Sequence, residues 1–139
     1  MGRLFGTDGI RGIAGEMLTC ELATKIGRAA AEVLSGLRRR PLFVIGKDTR
    51  ASSDMLESAI AAGLCSVGAD VIFLGVVPTP AVAYLIGKCK ADAGVMISAS
   101  HNAAEFNGIK IFGGDGVKLP DMLEEQIEAI VLDGVSRLP

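Results

Sequence analysis

The sequence predicts an α/β domain of three layers, in which helices cover both faces of a mostly parallel, mixed sheet. Short apolar segments bounded by turn residues alternate with segments whose apolar residues recur every three or four positions. The apolar segments are nearly continuous, which is typical of strands buried on both faces. Half of the 139 residues are hydrophobic, so a core is easily built, and we expect one domain over residues 1–139.

The helices are predicted from periodicity together with signals for their ends. Thr19 precedes an amphipathic segment and is suited to cap it, and Asp54 with Glu57 has the spacing of an acidic capping box. A proline in the first turn favours the start of the last helix. The predicted helices cover 19–34, 54–67, 81–89 and the residues that follow Pro120.

The strands are predicted from short apolar runs. Three of them, 41–46, 69–76 and 93–99, are nearly continuously apolar and are expected to be buried. A fourth, 108–112, alternates, so Ile109 and Ile111 point to one side of the sheet and Lys110 to the other.

Composition excludes several classes of protein. Charged residues make up 22% of the chain, the net charge is −2 and the only basic cluster is Arg38-Arg39-Arg40, which argues against nucleic-acid binding. The N-terminus resembles no secretory signal, and no apolar stretch is long enough to cross a membrane. The three cysteines lack metal-binding spacing and are expected to be reduced core residues. We therefore expect a soluble, cytoplasmic protein.

Polar residues follow two of the apolar strands and form the candidate site. "VMISASHN" (95–102) ends in Ser100, His101 and Asn102, and the strand at 41–46 runs into "KDTR", which contains Asp48 and Arg50. If the two strands are parallel, all of these residues share one edge of the sheet, where α/β proteins bind ligands. The alternative is that they are ordinary turn residues.

The surroundings of Ser100 favour phosphate chemistry. The G-x-S-x-G turn of α/β serine hydrolases is absent, and so is the spacing of a P-loop. A phosphorylated serine is a dianion that needs nearby cations and hydrogen-bond donors. The available cations are Arg11, Lys47, Arg50 and Lys110, although Lys110 could instead protect an edge strand from aggregation.

Three segments, in this order, resemble the α-phosphohexomutase superfamily: "FGTDGIRG" (5–12), "GKDTR" (46–50) and "ISASHNAAEFNGIKIF" (97–112). The resemblance covers nearly the whole chain and is to the first domain of the bacterial phosphoglucosamine mutase branch. It implies that Ser100 is the catalytic phosphoserine, that Lys110 is the general base and acid, and that His101 belongs to the catalytic loop.

The resemblance also implies binding residues and a metal. Arg11 would face the phosphate, Asn102 would help to position the serine loop, and we place Arg50 among the phosphate-binding residues. One Mg²⁺ ion would bind an oxygen of the Ser100 phosphate, with its remaining ligands in another domain.

The activity that the resemblance implies is the interconversion of glucosamine 6-phosphate and glucosamine 1-phosphate through a bisphosphate intermediate. The substrate would be a hexosamine phosphate, and the enzyme could form a homodimer. Two alternatives stay open: a phosphomannomutase or phosphoglucomutase domain, and a non-catalytic module that binds phosphate or protein.

The chain departs from the family pattern in two ways. Ala103 stands where a proline usually follows "SHN", which allows the loop more conformational freedom. The family has four domains, and the acidic DGDxDR segment that supplies its metal-binding aspartates is absent here. We therefore expect this chain to be a piece of a longer enzyme and to be inactive alone.

Overall fold

The computed structural model describes residues 4–35 and 40–134, which fold around one five-stranded sheet. Along the described chain the elements follow one another as β1, α1, β2, α2, β3, α3, β4, β5 and α4. The strands are β1 Ile10–Ile13, β2 Leu42–Lys47, β3 Asp70–Val76, β4 Ala93–Ile97 and β5 Phe106–Gly113. The helices are α1 Cys20–Leu34, α2 Ser53–Ser66, α3 Thr79–Lys88 and α4 Asp121–Asp133.

The sheet is mixed, with the strand order β1-β5-β4-β2-β3. The strand β2 pairs in parallel with both β3 and β4, whereas β5 runs antiparallel to β4 and to β1. The three parallel strands β2, β3 and β4 are joined to one another by α2 and α3, whereas β4 and β5 are joined by a loop alone. The predicted α/β fold with a mixed sheet is confirmed.

Alternating side chains of the strands build a core on each face of the sheet. On β2, Phe43 and Ile45 pack in the larger core together with residues of α1, α2 and α4. Val44 points the other way, into a smaller core with Val82 and Ile86 of α3. Helices therefore cover both faces, which gives the three layers predicted from the apolar strands.

Several helix ends differ from their sequence prediction. The Thr19 cap is confirmed, because its hydroxyl accepts a hydrogen bond of 3.1 Å from the backbone N–H of Leu22. The prediction of a capping box at the start of α2 is wrong, because Asp54 and Glu57 both bind the ammonium group of Lys47 instead. The helix α3 begins two residues earlier than expected, with a proline in its first turn.

The strand β1 was not predicted, and the burial of β3 was predicted incorrectly. The sequence around β1 is rich in glycine, so its extended state depends on pairing with β5. The strand β3 lies at the edge of the sheet, where Phe73 is 56% exposed and Val76 is 59% exposed. The expectation of core cysteines is also wrong for Cys20 and Cys65, which are exposed.

A buried carboxylate attaches the N-terminal segment to the last helix. Glu128 of α4 is 3% exposed, and one of its oxygens accepts hydrogen bonds of 2.7 Å from the backbone N–H groups of Leu4 and Phe5. Hydrogen bonds to a charged acceptor are stronger than neutral ones. The segment that leads into β1 is thus held by α4.

In the part of the chain that the structure describes, no helix combines the length and the apolar composition needed to cross a lipid bilayer.

Two glycines allow α1 and α2 to pack at close range. A Cβ atom on Gly27 would lie 2.5 Å from the carbonyl oxygen of Ile60, and one on Gly63 would overlap the carbonyl oxygen of Thr24. Each glycine of one helix therefore faces the backbone of the other. The contact is reciprocal and leaves no room for a side chain at either position.

We expect Gly63→Ala to destabilise the domain by about 1–3 kcal/mol, because the methyl group must force the helices apart. This loss should exceed the gain in helix propensity of about 1 kcal/mol. Gly87→Ala is the matched control, since Gly87 lies in α3 with no atom within 4 Å of its Cβ position. The control should be neutral or stabilising. Urea unfolding of the two variants measures both effects, and equal stability of the two would contradict the close contact.

Candidate functional site

The loop between β4 and β5, residues 98–105, places Ser100 at the carboxyl edge of the parallel strands. Ser100 has a φ of 56°, in the left-handed region that non-glycine residues seldom adopt. Its backbone N–H donates a hydrogen bond of 3.0 Å to the hydroxyl oxygen of Ser98. A conformation of this kind costs energy and persists only where the surroundings impose it, and such positions are concentrated at functional sites.

The side chains of Ser100, His101 and Asn102 are available to a ligand. All three residues are exposed. Within the described part of the chain, none of their side chains makes a hydrogen bond or an ion pair. The three residues predicted from the strand end therefore lie together on the loop with their polar groups unoccupied.

Arg50 lies against the same loop, and its side chain is only 12% exposed. Its Nη1 donates to the carbonyl oxygens of Ala103 at 2.7 Å and Phe106 at 3.0 Å. Its Nη2 donates to the carbonyl oxygens of Ser100 and Asn102, both at 2.9 Å. The sequence analysis placed Arg50 among the phosphate-binding residues. We revise that expectation, because the donors of its guanidinium are already engaged by backbone carbonyls and by Asp48.

Asp48 joins Arg50 to the strand ends. One carboxylate oxygen accepts hydrogen bonds from the backbone N–H of Arg50 at 3.0 Å and from the Ser53 hydroxyl at 2.8 Å, and the other accepts from Nε of Arg50 at 3.0 Å. Burial alone would raise the pKa of Asp48. Hydrogen bonds from the Arg50 backbone, the Ser53 and Ser98 hydroxyls and the Arg50 guanidinium outweigh burial and lower the pKa below its ordinary value.

Arg11 supplies a guanidinium group that is not committed to a partner. It lies on β1 opposite Gly108 of β5, and its Nε is buried without a hydrogen-bond partner among the described residues. A Cβ atom on Gly108 would lie 3.0 Å from Cγ of Arg11 and 2.7 Å from the carbonyl oxygen of Ser98. The glycine therefore lets the arginine side chain approach the base of the serine loop. An unpaired buried donor of this kind is suited to an anion.

Lys110 lies on β5, on the face of the sheet that α3 covers. Its register partner on β4 is Met96, which belongs to the α3-side core. The lysine lines a cavity of about 190 Å³ together with Thr7, Asp8 and Thr79, and in the described chain its ammonium group has no hydrogen bond or ion pair. The edge-strand alternative for Lys110 is wrong, because β5 lies between β1 and β4.

Arg11 and Lys110 project from the same face of the sheet. Paired residues of antiparallel strands share a face, so Arg11 shares one with Gly108, and Gly108 shares it with Lys110 two positions along the strand. Two cations without acidic partners among the described residues thus lie on one face of the sheet, with Arg11 near the base of the Ser100 loop and Lys110 in the cavity beside Thr7 and Asp8. Each is available to an anionic group.

Lys47, which the sequence also offered as a cation for phosphate, is engaged elsewhere. Its ammonium group binds Asp54 at 2.6 Å and Glu57 at 3.0 Å. The hydrogen bonds that Lys47 donates to Asp54 and then to Glu57 raise the pKa of Lys47 above its ordinary value, so the group stays charged and paired. Lys47 fastens β2 to α2.

Sequence reasoning did not identify Asn107 as a site residue. Its side chain is fully buried, and its Nδ2 donates to the hydroxyls of Ser52 at 2.9 Å and Ser53 at 3.1 Å. Its Oδ1 accepts from the backbone N–H of Gly108 at 2.8 Å. The amide therefore ties β5 to the start of α2. The sequence carried a signal for Asn107, because a polar residue that interrupts an apolar strand must find hydrogen-bond partners when it is buried.

We expect Asp48→Asn to reduce the dependence of stability on acid. A carboxyl whose pKa is lowered on folding stabilises the fold above its unfolded pKa of about 3.9, and this contribution disappears as the pH falls through the folded pKa. The stability difference between wild type and Asp48→Asn should therefore be full at pH 7 and shrink below about pH 4. Denaturant unfolding at a series of pH values measures it. A difference that stays constant or grows in acid would contradict the lowered pKa.

Comparisons with known proteins identify the family. Residues 2–137 match the family model of phosphoglucomutase/phosphomannomutase, alpha/beta/alpha domain I. The chain is 61% identical over 133 residues to a phosphoglucosamine mutase of Caldicellulosiruptor bescii, which covers 96% of this chain and 30% of the relative. It is 63% identical over 131 residues to a phosphoglucosamine mutase of Caldanaerobacter subterraneus subsp. tengcongensis, covering 94% of this chain and 29% of the relative.

A solved structure has the same fold. A phosphoglucomutase/phosphomannomutase family protein from Burkholderia thailandensis matches with a TM-score of 0.79 at 28% sequence identity, covering 94% of this chain and 30% of that chain. The chain thus spans about three tenths of the length of the curated relatives it matches. The family model, the relatives and the shared fold lead to one conclusion: the chain belongs to the phosphoglucomutase/phosphomannomutase family, as its alpha/beta/alpha domain I.

Proposed function

We propose that this domain carries the phosphorylated serine of an enzyme that interconverts glucosamine 6-phosphate and glucosamine 1-phosphate. The observation that carries the proposal is the exposed Ser100 hydroxyl on a strained turn at the edge of a sheet whose one face carries Arg11 and Lys110, two cations that lack acidic partners within the described residues. The names of the relatives at about 60% identity support the choice of sugar. Phosphoryl transfer depends mainly on positioning and on stabilisation of charge, which is what this arrangement supplies.

The reaction consists of two transfers between Ser100 and the sugar. In the first, the bond between phosphorus and the Ser100 oxygen breaks, a sugar hydroxyl oxygen bonds to phosphorus, and Lys110 accepts the proton of that hydroxyl. The resulting bisphosphate reorients. In the second transfer the other phosphoryl group moves to Ser100, and Lys110 returns the proton to the sugar oxygen that is released.

The neighbouring residues bind and orient. Arg11 neutralises phosphate oxygens in this proposal, which its buried, unpartnered Nε among the described residues supports, and His101 and Asn102 follow the serine with exposed polar side chains. A fixed guanidinium is worth more against a developing charge than mobile water, because it needs no reorganisation during the reaction.

The metal that the family implies does not fit the described residues alone. Among them no group of three or more His, Cys, Asp or Glu side chains could hold an ion. Asp48, the carboxylate that binds Arg50 beside the loop, is already bonded to serine and arginine donors. Mg²⁺ prefers six oxygen ligands, so we assign to this domain at most one of them, an oxygen of the Ser100 phosphate.

We expect Ser100→Ala to remove mutase activity from the full-length gene product. Ser98 cannot replace the hydroxyl, because it is 8% exposed and already bonds the N–H of Ser100. Ser100→Gly should be equally inactive although it relieves the left-handed strain, which separates chemistry from folding. Ser58→Ala on the exposed face of α2 is the control and should keep full activity.

The assay follows conversion of glucosamine 6-phosphate, with mannose 6-phosphate and glucose 6-phosphate as competing substrates. Preference for glucosamine 6-phosphate supports the proposed sugar, and preference for either of the others shifts the proposal to that mutase. Substantial turnover by Ser100→Ala would refute the role of the serine, and no turnover by the wild type on any of the three would leave a non-catalytic phosphate-binding module.

We expect Lys110→Arg to be nearly as inactive as Lys110→Met. Arginine keeps the positive charge but does not release its proton near neutral pH, so it cannot act as a base. A role limited to charge would allow arginine to substitute. Thermal melts check that both variants fold, and kcat of the two variants decides between the roles. Near-normal kcat with arginine would exclude Lys110 as the base.

A further inference from the structure

We propose that Arg50 is the positioning residue of the serine loop: it fixes the geometry of Ser100 through the loop backbone and makes no contact with the substrate. The proposal rests on the proposed function for its effect on turnover, but not for its effect on the loop. It concerns four carbonyl groups, those of Ser100, Asn102, Ala103 and Phe106, which we call the carbonyl set.

A guanidinium group has five N–H donors in a rigid plane, and Arg50 uses all five. Four hydrogen bonds of 2.7–3.0 Å reach the carbonyl set, and Nε donates to Asp48 at 3.0 Å. The carbonyl set spans the loop from Ser100 to the first residue of β5. One side chain therefore holds the beginning, middle and end of the loop at once.

The loop has little else to hold it. Residues 100–105 are all exposed, so they contribute little apolar burial. The backbone hydrogen bonds of the segment are few: Asn102 donates to Ala99, Phe106 donates to Ala103, and Glu105 accepts from Ala14. Ala103 lacks the restriction that proline would impose. Without Arg50 the carbonyl set would turn to water, and the loop would gain conformations.

The hydrogen bonds close a ring around the peptide groups of Ser100. Its carbonyl oxygen accepts from Arg50 at 2.9 Å, and Nε of Arg50 donates to Asp48. The Ser98 hydroxyl oxygen accepts from the N–H of Ser100 at 3.0 Å, and the same hydroxyl lies close enough to Asp48 to help lower the pKa of its carboxyl. Both sides of the left-handed residue are thereby tied to one Asp–Arg pair. This ring is the constraint that keeps Ser100 in its strained conformation.

Lysine at position 50 would keep the positive charge but could not form the ring of hydrogen bonds around Ser100. An ammonium group has three donors on a flexible stem, so it cannot reach four carbonyls and a carboxylate together. The comparison of arginine with lysine therefore separates a geometric role from an electrostatic one. A residue that merely attracts phosphate would be replaced by lysine with little loss.

The test uses Arg50→Lys in the full-length gene product, with Arg28→Lys on the exposed face of α1 as the control. We expect kcat for glucosamine 6-phosphate to fall about 100-fold, since misplacement of a reacting group by 1 Å has that effect. KM should stay unchanged, because Arg50 does not touch the sugar. Hydrogen exchange of the backbone amides of 100–106 should accelerate while the amides of the core strands β2 and β4 keep their protection.

Three outcomes would overturn the proposal. One is wild-type kcat in Arg50→Lys, which would show that charge suffices. Another is a raised KM with unchanged kcat, which would show direct binding of the substrate. The third is unchanged exchange in the loop.

If the wild type has no mutase activity, the proposed function fails, and hydrogen exchange in the Arg50→Lys variant still decides the positioning role. If Arg50→Lys does not fold, Asp48→Asn replaces it. Asp48→Asn keeps the arginine but weakens its anchor, and it should lower kcat less, with KM again unchanged.

Discussion

The parallel pairing of β2 with β4 is the constraint on which the candidate site depends. It places Lys47 opposite Ile97, and the next N–H, that of Asp48, donates to the carbonyl oxygen of Ile97 at 3.0 Å. The segment after β2 and the loop after β4 therefore leave the sheet side by side. Asp48 and Arg50 can reach the serine loop only because of this alignment. A shift of one residue would turn the alternating side chains of β4 to the wrong faces.

The two faces of the sheet differ in function, because one is packed for stability and the other carries charged residues of the candidate site. Side chains on the face of α1, α2 and α4 are mainly apolar and form the larger core. The opposite face carries the smaller core under α3, and beside it lie the two cations, Arg11 and Lys110. Burial on one face provides the stability, so the other can leave charged groups without partners among the described residues. Proteins accept such local costs at functional sites.

Much of the fold could be predicted from the sequence because its signals are local. Thr19 caps the helix that it precedes, and the apolar runs became strands. The strand β1 escaped prediction because a glycine-rich segment has no intrinsic preference for extension, and only β5, about 100 residues later, makes it a strand. Asp54 and Glu57 have the spacing of a helix capping box, but both carboxylates bind the ammonium group of Lys47 on β2 instead.

The sequence predicted which residues form the candidate site better than it predicted what each of them does. Parallel strands bring their ends together, so the sequence placed Asp48, Arg50 and Ser100 at one edge, as the structure has them. It could not assign Arg50, because the choice between phosphate and backbone carbonyls depends on the shape of a loop 50 residues away. The positions of Arg11 and Lys110 on one face required the antiparallel pairing of a strand that was not predicted.

The attachment of the first residues to the last elements has a consequence for how the domain is made. The N-terminus is synthesised first, yet β1 has no strand to pair with until β5 has been made. Likewise, the N–H groups of Leu4 and Phe5 have no acceptor until Glu128 of α4 has been made. The three parallel strands can assemble earlier, because their connections are short in sequence. Contacts so distant along the chain form late and slowly. Arg11 is part of β1, so this cation joins the site only when β1 pairs with β5.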